Sequence, residues 1–327
     1  MIQTGATQLP LKYFICYPKS QNLKSEAVGY TLFVYCTMYW KRYIPVPSRQ
    51  PLIVIPIQAP VQQDTFNLVN TIIQSIDTAG ESLQTGDVVA ISSKYAAISE
   101  GRVVNLHDVQ ISPQAQAIAE RYHMNPHLAQ LVLNEADHVF GGIIHEFNGV
   151  KVGFLLTHKD GIISPNAGLD RSNIPSGQVV LFPIDPYRTA AHIRAGLRAA
   201  LNVDVGVILT DSWLMPGRLG TTGVALSTAG FKPIRDQRGK PDLFGNPMQV
   251  TQIGIADSIC VCAQMVMGET DEATPIAIVR NTGVELTDAP LGVDDVAIPW
   301  QMCIYVGSLT EGRLTQDLLT ANIIAGD

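Results

Sequence analysis

At 327 residues the chain is longer than a mini-domain and falls between one large α/β unit and two ordinary domains. With 46% hydrophobic and 16% charged residues it is too apolar for disorder, and its 27 glycines and 20 prolines form no collagen-like or low-complexity bias. A net charge of −7, from 22 basic and 29 acidic side chains, argues against a broad phosphate-tracking surface, so no nucleic-acid partner is expected and any anion must be held locally.

Residues 1–50 read as an N-terminal extension of uncertain role. Its aromatic-rich run from Tyr30 to Trp40 is about eleven residues long, short of the ~20 that a bilayer crossing needs. Basic Lys41 and Arg42 follow the run instead of preceding it, which does not suit a signal peptide. No membrane contact of the extension is expected. Cys16, Cys36, Cys260, Cys262 and Cys303 are odd in number and scattered, which fits a reducing, cytoplasmic location better than a disulfide framework.

The pattern becomes regular from Leu52. An apolar strand over Leu52–Ile57 precedes a helix with Asp64 as N-cap and Phe66, Val69, Ile73 and Ile76 at three-to-four spacing. After Gly86-Asp87, Val88–Ile91 reads as a buried strand opening into a polar loop, Ser92-Ser93-Lys94. Ser112-Pro113 and Asn125-Pro126 each put a capping side chain before a proline suited to the first helical turn, giving two consecutive helices. Asn148-Gly149 tolerates the positive φ angles of a tight turn and joins Ile143–Phe147 to Val150–Phe154 as a hairpin. Asp185-Pro186 opens a helix carrying Ile193, Leu197 and Leu201; Val205–Leu209 and Val224–Leu226 are strands. Asp257 caps a helix that Gly268 stops, and Ile276–Val279 is a further strand. Helices and hairpins alternate irregularly, the signature of a mixed α/β (α+β) fold without repeats.

No phosphate loop, dinucleotide turn, HExxH zinc motif or serine elbow occurs in the sequence. His123 and His127 have the spacing of a metal pair, but Asn125-Pro126 between them starts a new helix, so two surface histidines are the simpler reading. Short polar motifs at the ends of apolar elements stand out instead: Ser92-Ser93-Lys94, Asn166 to Asn173, Thr210-Asp211-Ser212 and Gly268-Glu269. Three carboxylates and a hydroxyl from separate elements are hard oxygen donors of the kind that hold Mg²⁺ or Mn²⁺ beside a phosphate. Each also has a plain structural reading: Asp170 and Asn173 suit turns, Asp211 an N-cap, and Glu269 an acidic loop.

Taken together and in order, these motifs carry a resemblance. GDVVAISSKYAAISEGRVV (86–104), NAGLDRSN (166–173), VGVILTDS (205–212), DLFGNPMQVTQIGIADS (242–258) and MGETDEATPIAIVR (267–280) resemble the coenzyme F420-0:γ-glutamyl ligase family over about 55–295. The resemblance implies a mixed α/β fold in which 51–327 is the catalytic region, assembled as a homodimer. It implies GTP and a divalent metal, Mg²⁺ or Mn²⁺ with K⁺ as an additional candidate ion, joining L-glutamate to F420-0 or a related carboxylate through an acyl phosphate. By the same resemblance the metal ligands are Asp170, Asp211, Ser212 (where the family usually has threonine) and Glu269. The nucleotide falls to Ser93, Lys94 and Asn173 and to the loop of Met267, Gly268, Glu269, Thr270, Asp271, Glu272, Ala273 and Thr274. Arg171 and Arg218 are substrate-binding candidates, and the catalytic base is left unassigned.

The sequence departs from the family where an aromatic, basic stretch usually follows the TDT motif. Arg218 is present there, but Met215 stands where the first arginine is expected, and Ala59-Pro60-Val61-Gln62 alters an early nucleotide motif. Methionine cannot supply the charge-assisted bond of an arginine to a phosphodiester. Two alternatives follow: a ligase of the same fold with a different carboxylate acceptor, and a nucleotide-binding protein without turnover.

Overall fold

A computed structural model describes residues 50–310; the Tyr30–Trp40 run, Cys16 and Cys36 lie outside the described residues. In chain order the elements are β1 (Ile53–Ile57), α1 (Leu68–Thr78), β2 (Val88–Ser92), α2 (Ser93–Ser99), β3 (Val103–Asn105), α3 (Pro113–Tyr122) and α4 (Pro126–Glu135). There follow β4 (His138–Phe147), β5 (Val150–Lys159), β6 (Ile162–Pro165), β7 (Gln178–Val180), α5 (Pro186–Leu201), β8 (Gly206–Leu214) and β9 (Thr221–Ala229). The last are β10 (Ile234–Asp236), β11 (Gln252–Gly254), α6 (Ile255–Met267), β12 (Ile276–Arg280) and α7 (Ile304–Thr310). No helix among the described residues is long and apolar enough to cross a membrane.

A five-stranded sheet of order β1-β12-β2-β8-β9 organises the fold. Only β2 and β8 run parallel; every other pair in the sheet is antiparallel. Val89, Ile91, Val207, Leu209 and Ile278 face one side, where Ile72 and Ile76 of α1 and Ile193 and Leu197 of α5 cover them. The alternate residues Val88, Ala90, Ile208, Ala277 and Val279 face α6, whose Ile259, Cys260 and Ala263 complete a second core. Val88–Ile91 of β2, the first half of β8 and Ile276–Val279 of β12 are buried on both faces, so they read as unbroken apolar runs and not as alternating ones.

Proline-flanked caps form as the sequence indicates. Ser112 accepts from Ala115 N at 3.2 Å, Asn125 from His127 N at 2.9 Å and Asp185 from Arg188 N at 3.0 Å. Asn148 and Gly149 take φ of 50° and 80° at the turn between β4 and β5. Three local expectations need correction. The cap of α1 is Asn67, whose side chain accepts from Asn70 N at 3.0 Å, so Asp64 and Phe66 precede the helix. Asp257 is not the cap of α6 but lies in its first turn, where its carboxylate leaves the helix axis to accept Ala225 N of β9 at 2.9 Å. Ser92-Ser93-Lys94 is no loop: β2 runs directly into α2, so the sheet itself fixes the direction of Lys94.

Gly223 of β9 is required by the seating of α6. A Cβ there would lie 2.5 Å from the carbonyl carbon and oxygen of Cys260, which are backbone atoms of the helix and cannot rotate aside. Gly223→Ala is therefore expected to destabilise the fold by about 1–3 kcal/mol through overpacking. Equilibrium denaturation checks this; a variant as stable as the parent would show that α6 shifts freely.

Candidate active site

In sheets with parallel strands, ligands bind beyond the strands' carboxyl ends, and here β2 and β8 supply that position. Their last aligned pair is Ser92 and Thr210, and β8 continues beyond it, paired with β9 alone. An extra residue, Leu226, bulges from β9 where Leu209 pairs with Ser227 and Thr210 with Ala225. Such bulges bend a strand and commonly re-aim side chains beside a site.

Side chains alternate along β8, so Asp211 and Ser212 serve opposite faces of one strand end. Asp211 is on the α2 side, where Ser93 donates to it and Lys94 and Asp170 are its charged neighbours. Lys94 Nζ lies 2.7 Å from Asp170 Oδ2 and also donates to the Ser172 hydroxyl at 2.8 Å. Asp170 is anchored by paired backbone bonds to Val180 of β7, at 3.0 and 2.9 Å. Ser212 is on the α6 side and donates to Glu269 Oε1 at 2.6 Å; Gln264 of α6 donates to both.

The electrostatics of the two aspartates diverge. Burial pushes the Asp211 carboxyl up to about 7, with Asp170 adding to the effect against the Ser212 backbone N–H, Lys94 and the Ser93 hydroxyl. Burial also acts to raise Asp170, but the Lys94 charge and bonds from Lys94 and Ser172 outweigh it and hold that carboxyl below the usual range. One carboxylate is thus neutralised by a fixed cation, while its neighbour lacks a counter-charge of its own.

These groups line one groove of about 410 Å³. Asp170, Asp211, Ser212 and Glu269 all reach it, as do Lys94, Asn173 and the whole stretch Met267–Thr274. That stretch is shaped by Gly268 at φ 75°, by Thr270 N donating to Glu272 at 2.8 Å and by Thr274 Oγ1 donating to Met267 O at 2.5 Å. Asn173 Nδ2 donates to Thr270 O at 2.7 Å, tying the NAGLDRSN segment to the loop after α6. Ser93 is buried beneath the groove, bonded to Asp211.

The groove does not gather every expected residue. Arg171 and Arg218 are exposed and do not line it; Arg218 sits with Met215 at the tip of the β8–β9 hairpin, its N–H donating to Met215 O at 3.1 Å. Among the described residues no three histidine, cysteine or carboxylate side chains are drawn together as a ready metal cage. The four oxygen donors instead form two pairs, Asp170 with Asp211 and Ser212 with Glu269, one on each face of the β8 end. His123 ends α3 in a left-handed conformation and His127 bonds to Val109 O, so the two histidines make no site.

Sequence reasoning also missed part of the groove. Tyr95 is mostly buried and donates to Pro60 O at 2.8 Å, holding the strap Ala59–Gln62 over the groove as one wall. Gln264 was missed as well; a glutamine on an amphipathic helix carries no motif, and its only sequence signal is a polar residue one turn before the helix ends.

Comparison with known proteins places this geometry in context. Residues 56–281 match the family model described as F420-0:Gamma-glutamyl ligase. The chain is 37% identical over 207 residues to a protein of Methanopyrus kandleri named coenzyme F420:L-glutamate ligase, covering 62% of this chain and 78% of that one. A protein of the same name from Methanothermobacter thermautotrophicus is 33% identical over 236 residues, 72% of this chain and 91% of its own. A third, from Halobacterium salinarum, is 38% identical over 205 residues, 61% and 76% of the two chains.

Proposed function

The chain belongs to the F420-0:gamma-glutamyl ligase family, and from that premise we propose that it is a carbon–nitrogen ligase that uses GTP and a divalent metal to add L-glutamate to coenzyme F420-0. The observation that carries the reading is the groove at the ends of β2 and β8, lined by a fixed lysine cation and by four hard oxygen donors from three separate segments.

A carboxylate is a poor acyl donor because its leaving group would be oxide. Activation proceeds by attack of a carboxylate oxygen of F420-0 on the γ-phosphorus of GTP, with GDP leaving and an acyl phosphate formed. The amine of glutamate then attacks the acyl carbon, inorganic phosphate leaves, and the amine's proton passes to solvent. Little covalent work falls to side chains in phosphoryl transfer; positioning and charge neutralisation dominate. Lys94, held by Asp170 and Ser172 at the start of α2, supplies a fixed positive charge at the groove. The loop Met267–Thr274 and the strap Ala59–Gln62 enclose the nucleotide from two sides, and Asn173 braces the first of them.

The donor set suits Mg²⁺ or Mn²⁺, which takes carboxylate and hydroxyl oxygens. Asp170 with Asp211 on one face, and Ser212 with Glu269 on the other, are the two pairs that would hold such a cation. Bound there, the metal would act as a template and Lewis acid for the phosphoryl oxygens.

Incubation with GTP, Mn²⁺ or Mg²⁺, L-glutamate and F420-0 is expected to yield GDP, phosphate and a product one glutamate heavier, with ATP as the control nucleotide. No GDP release with F420-0 or any of several other carboxylates would sink the proposal. A second reading, a different carboxylate acceptor, is favoured by the exposed, uncharged Met215 beside Arg218. Met215→Arg separates the two: a fall in KM for F420-0 is expected if this hairpin tip meets its phosphodiester, and an unchanged KM removes the tip from acceptor binding.

A further inference from the structure

At the centre of the α6 half of the groove lies Gln264, a residue marked by no motif. It stands one turn before the end of α6, between the strand that carries Ser212 and the loop that carries Glu269. Its Nε2 donates to Ser212 Oγ at 2.9 Å and to Glu269 Oε1, while Ser212 Oγ donates to the same Oε1 at 2.6 Å. Three polar groups thus close a ring. Its direction is dictated by chemistry: a carboxylate oxygen only accepts, so the amide must present nitrogen to Glu269, and the one hydroxyl proton of Ser212 is already committed there.

This orientation leaves Gln264 Oε1 buried without a hydrogen-bond partner. Unpartnered buried carbonyl oxygens are rare and unfavourable, and an apolar side chain of the same length would avoid the penalty. Helix α6 would gain by such a side chain; Ser212 and Glu269 would lose their common brace. Both are largely exposed, so without Gln264 only their mutual bond would remain, and nothing would tie the pair to the helix.

We infer that Gln264 is a positioning residue. It holds the Ser212 hydroxyl and the Glu269 carboxylate in fixed register and thereby sets the affinity of this half of the groove for a divalent cation. The inference rests on the metal reading proposed above. Partners that orient metal ligands typically change affinity 10–100-fold when removed.

The test is Gln264→Met in the full chain, which removes the amide at nearly constant volume. Mn²⁺ titration followed by electron paramagnetic resonance is expected to give a Kd about tenfold weaker than wild type. The metal-free variant should melt at the same temperature or higher, because the orphaned oxygen is gone, and added Mn²⁺ should restore turnover. Gln264→Asn, one methylene too short to span both partners, should weaken Mn²⁺ binding as well. A Kd within twofold of wild type in Gln264→Met would overturn the inference, as would a weaker Kd accompanied by a metal-free melting point several degrees lower, which marks a structural role. A wild-type chain that takes up no Mn²⁺ would overturn the metal reading itself, and this inference with it.

Discussion

Asp211→Asn is expected to lower kcat/KM on the order of 10³-fold while leaving the fold standing, a loss in the range seen when a preorganised electrostatic group is removed from a site. The substitution keeps the shape of the side chain and the acceptor for Ser212 N, now at 2.8 Å. What disappears is the negative charge on the α2 side of the groove. The effect on stability has the opposite sign to the effect on turnover. Burial raises the folded carboxyl to about 7 from an ordinary value of 3.8. The folded state therefore binds more protons than the unfolded state between those values, and stability contributed by this group falls as pH rises through that window. Asparagine does not titrate. In the absence of divalent cations, the variant should gain stability relative to the parent from pH 4 towards pH 7. Parallel thermal melts at both pH values measure the difference; undiminished turnover in the variant would remove Asp211 from the proposed chemistry.

The largest effect on stability is expected far from the groove, at Asp87. Its carboxylate is almost wholly buried and bonds Arg280 Nε at 3.0 Å and Nη2 at 2.9 Å, while also accepting Gln84 N at 2.8 Å. The pair links the start of β2 to the end of β12, and Arg280 Nη2 donates further to Ser82 O at 2.8 Å. Removing one partner strands a guanidinium that is mostly buried. Asp87→Ala should lose about 3–5 kcal/mol, and Arg280→Met a similar amount, because an uncompensated buried charge remains in each. The double variant Asp87→Leu with Arg280→Met should recover much of the loss, since apolar replacement of both partners is often neutral. Chemical denaturation of the three variants decides the matter; additive losses in the double variant would show that the pair acts through packing and not through charge.

Legibility in the sequence followed how local each signal is. A proline after Ser112, Asn125 or Asp185 has few other uses, and the helices begin there. Asn148-Gly149 likewise names its turn. Asp64 and Asp257 misled because a carboxylate near a helix start looks the same whether it caps the helix or reaches elsewhere, and Asp257 reaches across to β9. Ser92-Ser93-Lys94 read as a loop because three polar residues after an apolar strand are equally the first turn of a helix whose outer face meets a groove. Strand order was not legible, since it depends on pairings between residues as distant as Ile53 and Arg280. The oxygen donors of the groove were found through the family resemblance and their place at element ends. Their division into two pairs follows from the alternation along β8, which becomes visible only once both neighbours of that strand are known.

Strand β1 bears on how the groove is closed. Among the described residues it lies at the sheet margin, bonded to β12 alone, yet the strap leading from it bonds the loop after α6 through Ala59 N to Ala273 O at 3.0 Å and Gln58 to Glu272 O at 3.3 Å. Fraying of that margin is therefore expected to accompany opening of the groove. Occupancy of the groove should slow amide hydrogen exchange in Ile53–Ile57, several residues from any ligand, because a molecule held between strap and loop restrains the strand that leads into the strap.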